Sequence, residues 1–361
     1  MSEIIYRTLE EGDIPGVNAF YNSYHNGGRT AEQFRWEFLD GPNGKGIYCL
    51  AKVVETGQII GIQGGIPIIF MTKANQHVLT IKSEDTLIDV DLCARLKKRN
   101  LFRELYDFFV TQCREQGVEC IWGFTWAKNS LKRIGFQLPF DACQGILVLH
   151  PVKSYRHLSG LNKNNKFLDK AKIGVMVAFS FLVGWKCRYH NKLKGLIISE
   201  EILSNLEIIQ SIAEIHQDLV FMKQDTEFLL WRLKKNLYPI KYTVLNLNYN
   251  GLFAGQIITS LFPNFQGFLE QVLFVPELQL RTQKKILKNA LIQIRMAGAI
   301  HIRVMTFPGN EVNRQQKKLF RSIGFSLIKK GMGFIFLSLK DTSAFRPKQF
   351  FLSRIFTQGH N

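Results

Sequence analysis

Two stretches of this chain carry one pattern. REQGVECIWGFT, Arg114 to Thr125, and RMAGAIHIRVMT, Arg295 to Thr306, each read as a helix end, a glycine and an alternating apolar strand, and each leads into a short helix ending in Ile-Gly-Phe, at Phe136 and Phe325. The echo extends upstream: EQFRWEFLDGP, Glu32 to Pro42, matches TEFLLWRLKKNLYP, Thr226 to Pro239, in its helix, its Trp and its terminal Pro. A hairpin over Gly46–Val54 and Gln58–Phe70, turning at Glu55-Thr56-Gly57, is matched by Lys241–Ser260, turning at Asn250-Gly251. Repetition on this scale predicts a duplicated fold, two similar units each burying a core, and 361 residues suit two domains of ordinary size.

The first copy is clearest from Ile81 to Phe136. Thr86–Asp91 alternates apolar and polar residues as a strand does, with Glu84 and Asp85 just upstream. Leu101, Leu105, Phe108 and Gln112 form one stripe, with Phe102, Tyr106, Phe109 and Cys113 beside it, so a helix is expected from about Lys98 to Gln116, ended by Gly117. Val118, Cys120, Trp122 and Phe124 alternate as a second buried strand. A crossover of this length implies parallel pairing or a splayed neighbour. At the helix start stand Lys97, Lys98, Arg99 and Asn100. Orphan amides and the positive end of the helix dipole converge there, which suits an anion such as a pyrophosphate; the competing reading is a solvated basic turn.

These motifs resemble the GNAT superfamily of acyl-coenzyme A-dependent transferases, in the tandem form found in bacteria. That family carries an Arg/Gln-x-x-Gly-x-Gly/Ala loop after its fourth strand; the matching run here is KKRNLF, Lys97 to Phe102, after SEDT, Ser83 to Thr86, with Lys98 and Asn100 at the glycine places. GFTW, Gly123 to Trp126, and RIGF, Arg133 to Phe136, match its Gly-Phe strand end and closing Gly-Phe. The likeness spans most of residues 3 to 340 apart from a basic connection. It implies an α/β fold of two mixed sheets flanked by helices, over 1–150 and 199–340, joined by a connection over 151–198 and followed by a basic tail over 341–361. A last apolar run, Gly145 to Val152, would close the first sheet.

The resemblance further implies acetyl-CoA or another acyl-CoA as co-substrate and an N-acyltransferase activity, with no metal. Leu87 and Ile88 on the strand, Lys97, Lys98, Arg99, Asn100, Leu101 and Phe102 on the loop, and Asn129 would contact the cofactor. Glu84 and Asp85 would be candidate bases, because a partly desolvated carboxylate at a cleft mouth has its pKa raised; an exposed strand-end pair is the plainer alternative. Ser130 could meet the leaving thiolate, and Asn129 could instead be a helix N-cap. The second copy's loop position, PELQLRTQK, Pro276 to Lys284, has neither glycines nor a cationic run, so coenzyme A is expected in the first unit, with the second walling an amine acceptor site.

Charge and composition add the rest. Residues 1 to 150 hold 16 Lys+Arg against 17 Asp+Glu, whereas the remainder holds 31 against 12. Within 151–195, 10 basic residues face the single acid Asp169 and surround the uncharged run Ile173 to Trp185, whose 13 residues fall short of the roughly 20 needed to span a bilayer. That run reads either as a core helix or as one resting on an anionic membrane surface. A small-molecule or lipid-linked acceptor (an amino sugar, an amino acid or a cell-envelope precursor) fits the first reading of the activity. The alternatives are a Fem-type transferase drawing on aminoacyl-tRNA, the one case in which nucleic acid is expected, and a non-catalytic degenerate GNAT protein at a membrane surface. The six cysteines lack metal-ligand spacing and read as reduced buried thiols, and the eight histidines read as satisfied structural residues. MSEIIYRTLEEGD has no apolar leader core, so the expectation is a cytoplasmic protein, either free or peripheral at the inner membrane face.

Overall fold

The computed structural model describes residues 3–25, 28–71, 76–160, 167–183, 193–202, 205–216, 219–328, 331–340 and 346–356. The end of the uncharged run at Gly184-Trp185, Cys187, most of LNKNNKF and much of the C-terminal tail lie outside them.

The first half begins with strand β1 (Ile4–Thr8) and helices α1 (Ile14–Tyr24) and α2 (Ala31–Phe38). Thr30 caps α2 as its sequence predicts: its hydroxyl accepts from the Gln33 amide at 3.2 Å and the Gln33 side chain accepts from the Thr30 amide at 2.9 Å. An antiparallel run of β2 (Ile47–Val53), β3 (Ile59–Met71) and β4 (His77–Ile88) follows. Then come α3 (Val90–Arg95), α4 (Leu101–Glu115), β5 (Cys120–Thr125), α5 (Lys128–Arg133), β6 (Gln137–Asp141) and β7 (Cys143–Val148).

The connection forms two helices, α6 (Pro151–Gly160) and α7 (Phe167–Val183). The second half runs through β8 (Leu196–Ser199), α8 (Leu206–Ile215), β9 (Val220–Met222) and α9 (Thr226–Leu229), which continues as a π turn over Leu230–Lys234. It ends with β10 (Lys241–Tyr249), β11 (Leu252–Leu261), β12 (Gln266–Phe274), α10 (Leu280–Met296), β13 (His301–Thr306), α11 (Glu311–Ile323), β14 (Ser326–Ile328), β15 (Gly333–Ser338) and β16 (Phe350–Phe351). The Asn250-Gly251 turn between β10 and β11 has φ of 53° and 81°, the paired positive values that an Asn-Gly hairpin supplies. Ser199 ends β8, whose β-branched Ile197 and Ile198 pair with Asn248 and Leu247, and the next helix starts at Leu206.

The two sheets exchange their closing strands. The order is β1-β2-β3-β4-β5-β15-β6 in the first and β14-β7-β13-β12-β11-β10-β8 in the second. The run expected to close the first sheet therefore closes the second: Cys143–Val148 pairs antiparallel with Thr306–His301. In return Gly333–Ser338 lies between β5 and β6. One residue, Ala142, separates β6 from β7, and a two-residue turn is the shortest common link between hairpin neighbours, so the chain passes on into the other sheet.

Three apolar cores are the largest among the described residues. One lies between the first sheet and α4, around Leu105, Tyr106 and Phe109; a second lies between the second sheet, α10 and α11. The third fills the space between the halves and draws Trp36, Trp122, Trp231, Phe334 and Phe350 from both. Cys49, Cys93, Cys113, Cys120 and Cys143 are free and buried, as expected of reduced thiols, and burial pushes the Cys49 thiol up to about 12.

Candidate active site

β4 and β5 are parallel but touch over only three residue pairs, Thr80–Lys82 against Cys120–Trp122. The pairing therefore lies upstream of Thr86–Asp91, the strand read from the sequence. Gly123 is the last point of close approach: a Cβ there would sit 3.1 Å from the Ser83 carbonyl oxygen. Beyond it the strands part. Among the described residues β4 continues to Ile88 paired only to β3, and its other edge there has no strand partner. Phe124 and Trp126, the latter 66% exposed, stand on the opposite lip.

α4 begins beside this gap. Its start departs from the expected strand–loop–helix order, because Asp89 ends the strand and caps α3, its carboxylate accepting from the Leu92 amide at 2.8 Å. The basic loop thus follows α3. Lys97 holds the left-handed conformation (φ 57°), whereas Asn100, at a glycine place of the motif, has φ −110° and serves as N-cap without a side-chain cap bond. Lys97, Arg99 and Asn100 are exposed. Lys98 lies 2.7 Å from Glu104, which also accepts from the Tyr6 hydroxyl. Leu101 is buried and Phe102 and Leu87–Ile88 are half-buried, so Leu101 offers a ligand its backbone alone. The first amides of this 15-residue helix, Leu101 to Arg103, have no intrahelical acceptor. A helix start of this kind, flanked by two exposed cations, fits a pyrophosphate.

A buried charge cluster underlies the gap. The β3–β4 register slips between Ile62 and Gly64, bulging β4 at Asp85, which takes a positive φ of 49°. The Asp85 carboxylate accepts from Arg29 Nη1 at 2.5 Å and from the Tyr48 hydroxyl at 2.9 Å. Arg29, 5% exposed, also donates to Asn18 and lies over the Tyr21 ring at 3.8 Å. Gln63 fills the bulge, donating to the Glu84 carbonyl and accepting from Thr86. Glu84 is instead ion-paired with Lys82, and its side chain is 23% exposed. Burial, with Arg232 beside it, pushes the Lys82 ammonium down to about 7. Burial and the nearby Asp85 raise the Glu37 carboxyl, which accepts from the second half's Tyr238.

The two expected carboxylates thus have different settings, Asp85 enclosed and Glu84 at the gap. Asn129 and Ser130 are exposed on α5, which follows the end of β5; Ala127, rather than Asn129, is the N-cap. Arg29, Glu37, Tyr48 and Lys82 were not singled out from the sequence. The one legible signal was a Lys inside the strand IKSED and a Glu between Trp36 and Phe38, charges at places that alternation and helical spacing bury.

The second unit contains the equivalent gap, and it is filled. β12 and β13 pair over Gln266–Leu269 and His301–Val304, and β12 bulges where Glu270 is skipped between Leu269 and Gln271. Into this place comes the chain's own segment 346–356. Arg354 pairs with Glu270 and lies 3.6 Å from the Phe268 ring centroid, and Ser353 donates to Gln271 at 2.9 Å. Nearby, His301 is fully buried with Nε2 at 3.1 Å from Gln266 Oε1, while its Nδ1 lacks a partner among the described residues, so it is only half satisfied.

This architecture, a bulged β4 parting from β5 beside a helix start, repeated in a second unit with exchanged closing strands, decides the fold. The chain has the tandem GNAT fold. It is similar to the tandem GNAT protein from the clavulanic acid biosynthesis pathway, with 10% identity over 94% of this chain and 99% of that one and a TM-score of 0.57. A conserved protein of unknown function from Enterococcus faecalis V583, a probable N-acyltransferase, gives a TM-score of 0.61 at 10% identity over 94% and 73% of the two chains. Saccharomyces cerevisiae N-myristoyltransferase with bound myristoyl-CoA and inhibitors gives 0.58 at 13% identity over 94% and 80%. No family model and no curated protein matches the sequence. Among the described residues no helix is long and apolar enough to cross a membrane, and no group of His, Cys, Asp or Glu is placed to hold a metal.

Proposed function

We propose that this GNAT-fold chain is an acyl-CoA-dependent N-acyltransferase whose active gap lies between β4 and β5 of the first unit. One observation carries the reading: of two equivalent gaps, the second is occupied by the chain's own segment, while the first is bordered by an uncapped helix start and exposed cations. The amides of Leu101 to Arg103 and the side chains of Lys97 and Arg99 would hold the pyrophosphate, and the unpaired β4 edge at Leu87 and Ile88 would line the pantetheine arm. When bound, acyl-CoA supplies an activated acyl carbon to an amine. Alignment of the two reactants is the main contribution required of the protein.

The chain's own part in the proton balance falls to Glu84. It is partly exposed at the gap, and Lys82 beside it has an ammonium pushed down to about 7, so the pair can take up a proton from an incoming amine near neutral pH. Asp85, held by Arg29 and Tyr48, is assigned to fixing the bulge and hence the direction of the free β4 edge. Below the gap, Glu37 and Lys82 of the first half meet Arg232 and Tyr238 of the second in a buried cluster, which would hold the second half as the wall of the acceptor site.

Titration calorimetry with acetyl-CoA and with a longer acyl-CoA tests the reading. Binding should weaken by about tenfold or more in Lys97→Glu/Arg99→Glu, two exposed changes at the helix start. Unchanged affinity in that variant would sink the placement, and the absence of heat with either ligand would sink the reading.

A further inference from the structure

The connecting helix α7 is apolar on both sides. Its inner side packs on the second sheet: Val177 is buried against Ile146 and Val148, Ile173, Met176 and Phe181 support it, and the Ser180 hydroxyl accepts from the Val148 amide at 3.1 Å. The outer side carries Ala171, Val175, Ala178, Phe179 and Leu182, all exposed; Val175, Phe179 and Leu182 are 72%, 60% and 69% exposed. Their spacing, i, i+4, i+7, i+8 and i+11, places them on one stripe about 16 Å long. A solvated helix face is expected to be polar, yet these five positions are all apolar, and the exposed Lys170 and Lys172 lie at the start of the helix beside the stripe.

We propose that this outer face of α7 is a docking surface for an anionic lipid bilayer. The occupant is chosen by charge. The residues joined to α7 on both sides are strongly basic: 151–195 contains 10 Lys+Arg and one acid, Asp169. An apolar stripe with exposed Lys170 and Lys172 at its start, in a stretch of sequence with this basic excess, complements a bilayer, whose hydrocarbon accepts Val175, Phe179 and Leu182 while its anionic headgroups attract the cations. A second copy would bring two such basic stretches of chain together, which charge repulsion disfavours. α7 lies on the sheet by its other side, so it would rest in the interface without leaving the fold. The inference stands apart from the proposed acyl transfer.

The test is flotation of the whole 361-residue chain with vesicles of phosphatidylcholine alone and with about 30% phosphatidylglycerol. Binding to the anionic vesicles only, weakened as salt is raised from about 0.1 to 1 M, is expected. Val175→Asp/Phe179→Asp should lower partitioning by about tenfold or more with an unchanged melting temperature, since both residues are exposed. Lys170→Glu/Lys172→Glu should lower it without touching the apolar stripe. Failure to bind anionic vesicles overturns the proposal, as does equal binding to neutral ones. A concentration-dependent dimer that Val175→Asp/Phe179→Asp abolishes, with no vesicle binding, would assign the face to a second copy and also overturn it.

Discussion

Trp36 and Trp231 hold each other reciprocally: their rings stack with centroids 5.2 Å apart, Trp36 Nε1 donates to the Trp231 carbonyl at 3.1 Å, and Trp231 Nε1 donates to the Trp36 carbonyl at 3.0 Å. These are the tryptophans of the repeated helices, so the contact is the duplicated sequence meeting itself across the seam between halves. Self-complementary contacts of this kind ordinarily join two copies across a twofold axis. The exchange of β7 and β15 obeys the same relation, each entering the other unit beside the strand equivalent to its own neighbour.

Replacing either tryptophan by Phe keeps most of the ring contact but leaves a buried carbonyl without its donor, so each change should cost about 1–3 kcal/mol. Because the two bonds share one stacked pair, Trp36→Phe/Trp231→Phe should cost less than the sum of the singles. Urea unfolding of the four proteins measures this; strict additivity would mean the rings act independently.

The duplicated order of elements was legible in the sequence because helix and strand periods, the Asn-Gly turn and the repeated Ile-Gly-Phe are local signals. The strand exchange was not, since β7 has the same alternation whichever sheet it joins; the single residue Ala142 that keeps it from turning back onto β6 is visible only once both strands are placed. At the candidate site, Glu84, Asp85 and the basic loop were singled out by resemblance to a motif, but their surroundings could not be. Arg29 reaches Asp85 from 56 positions away in sequence, and no local pattern encodes that pairing. The α3 insertion was hidden because Leu92, Cys93 and Leu96 suit either a strand end or one helical turn.

The plug in the second unit predicts that the C-terminal segment is structural. The Arg354 and Glu270 side chains are 7% and 0% exposed, and removing one partner strands the other's charge, so Arg354→Ala should destabilise by about 3–5 kcal/mol. Arg354→Met/Glu270→Gln, which removes both charges, should recover much of that loss. Melting curves for the two variants decide it, and a single variant as stable as wild type would show that the segment is not seated.

Lys82 makes stability depend on pH. Its ammonium is pushed down to about 7 in the fold and returns to the ordinary range, near 10.5, on unfolding. Between those values unfolding takes up a proton, so this residue makes stability rise with pH, by at most about 1.4 kcal/mol per pH unit. Lys82→Met should lack that rise. The difference in unfolding free energy between wild type and Lys82→Met, followed from pH 7.5 to 9.5, should therefore grow in favour of wild type; parallel curves would show that Lys82 titrates normally.

Glu84 and Asp85 are adjacent in sequence but should fail differently. Glu84 is partly exposed at the gap beside Lys82, so Glu84→Gln should lower turnover about 10²–10⁴-fold, the usual effect of losing a general base, while leaving the melting temperature within a few degrees. Asp85→Asn removes the charge that Arg29 meets in a site where both side chains are under a tenth exposed, so it should cost about 3–5 kcal/mol of stability. Part of that cost should be recovered in Arg29→Met/Asp85→Asn, whose buried pair is gone. Hydroxylamine or a simple amine serves as acceptor while the natural one is sought, and turnover is measured beside thermal melts. Wild-type turnover in Glu84→Gln would remove it from the reaction, and an Asp85→Asn protein as stable as wild type but inactive would move the proton-accepting role to Asp85.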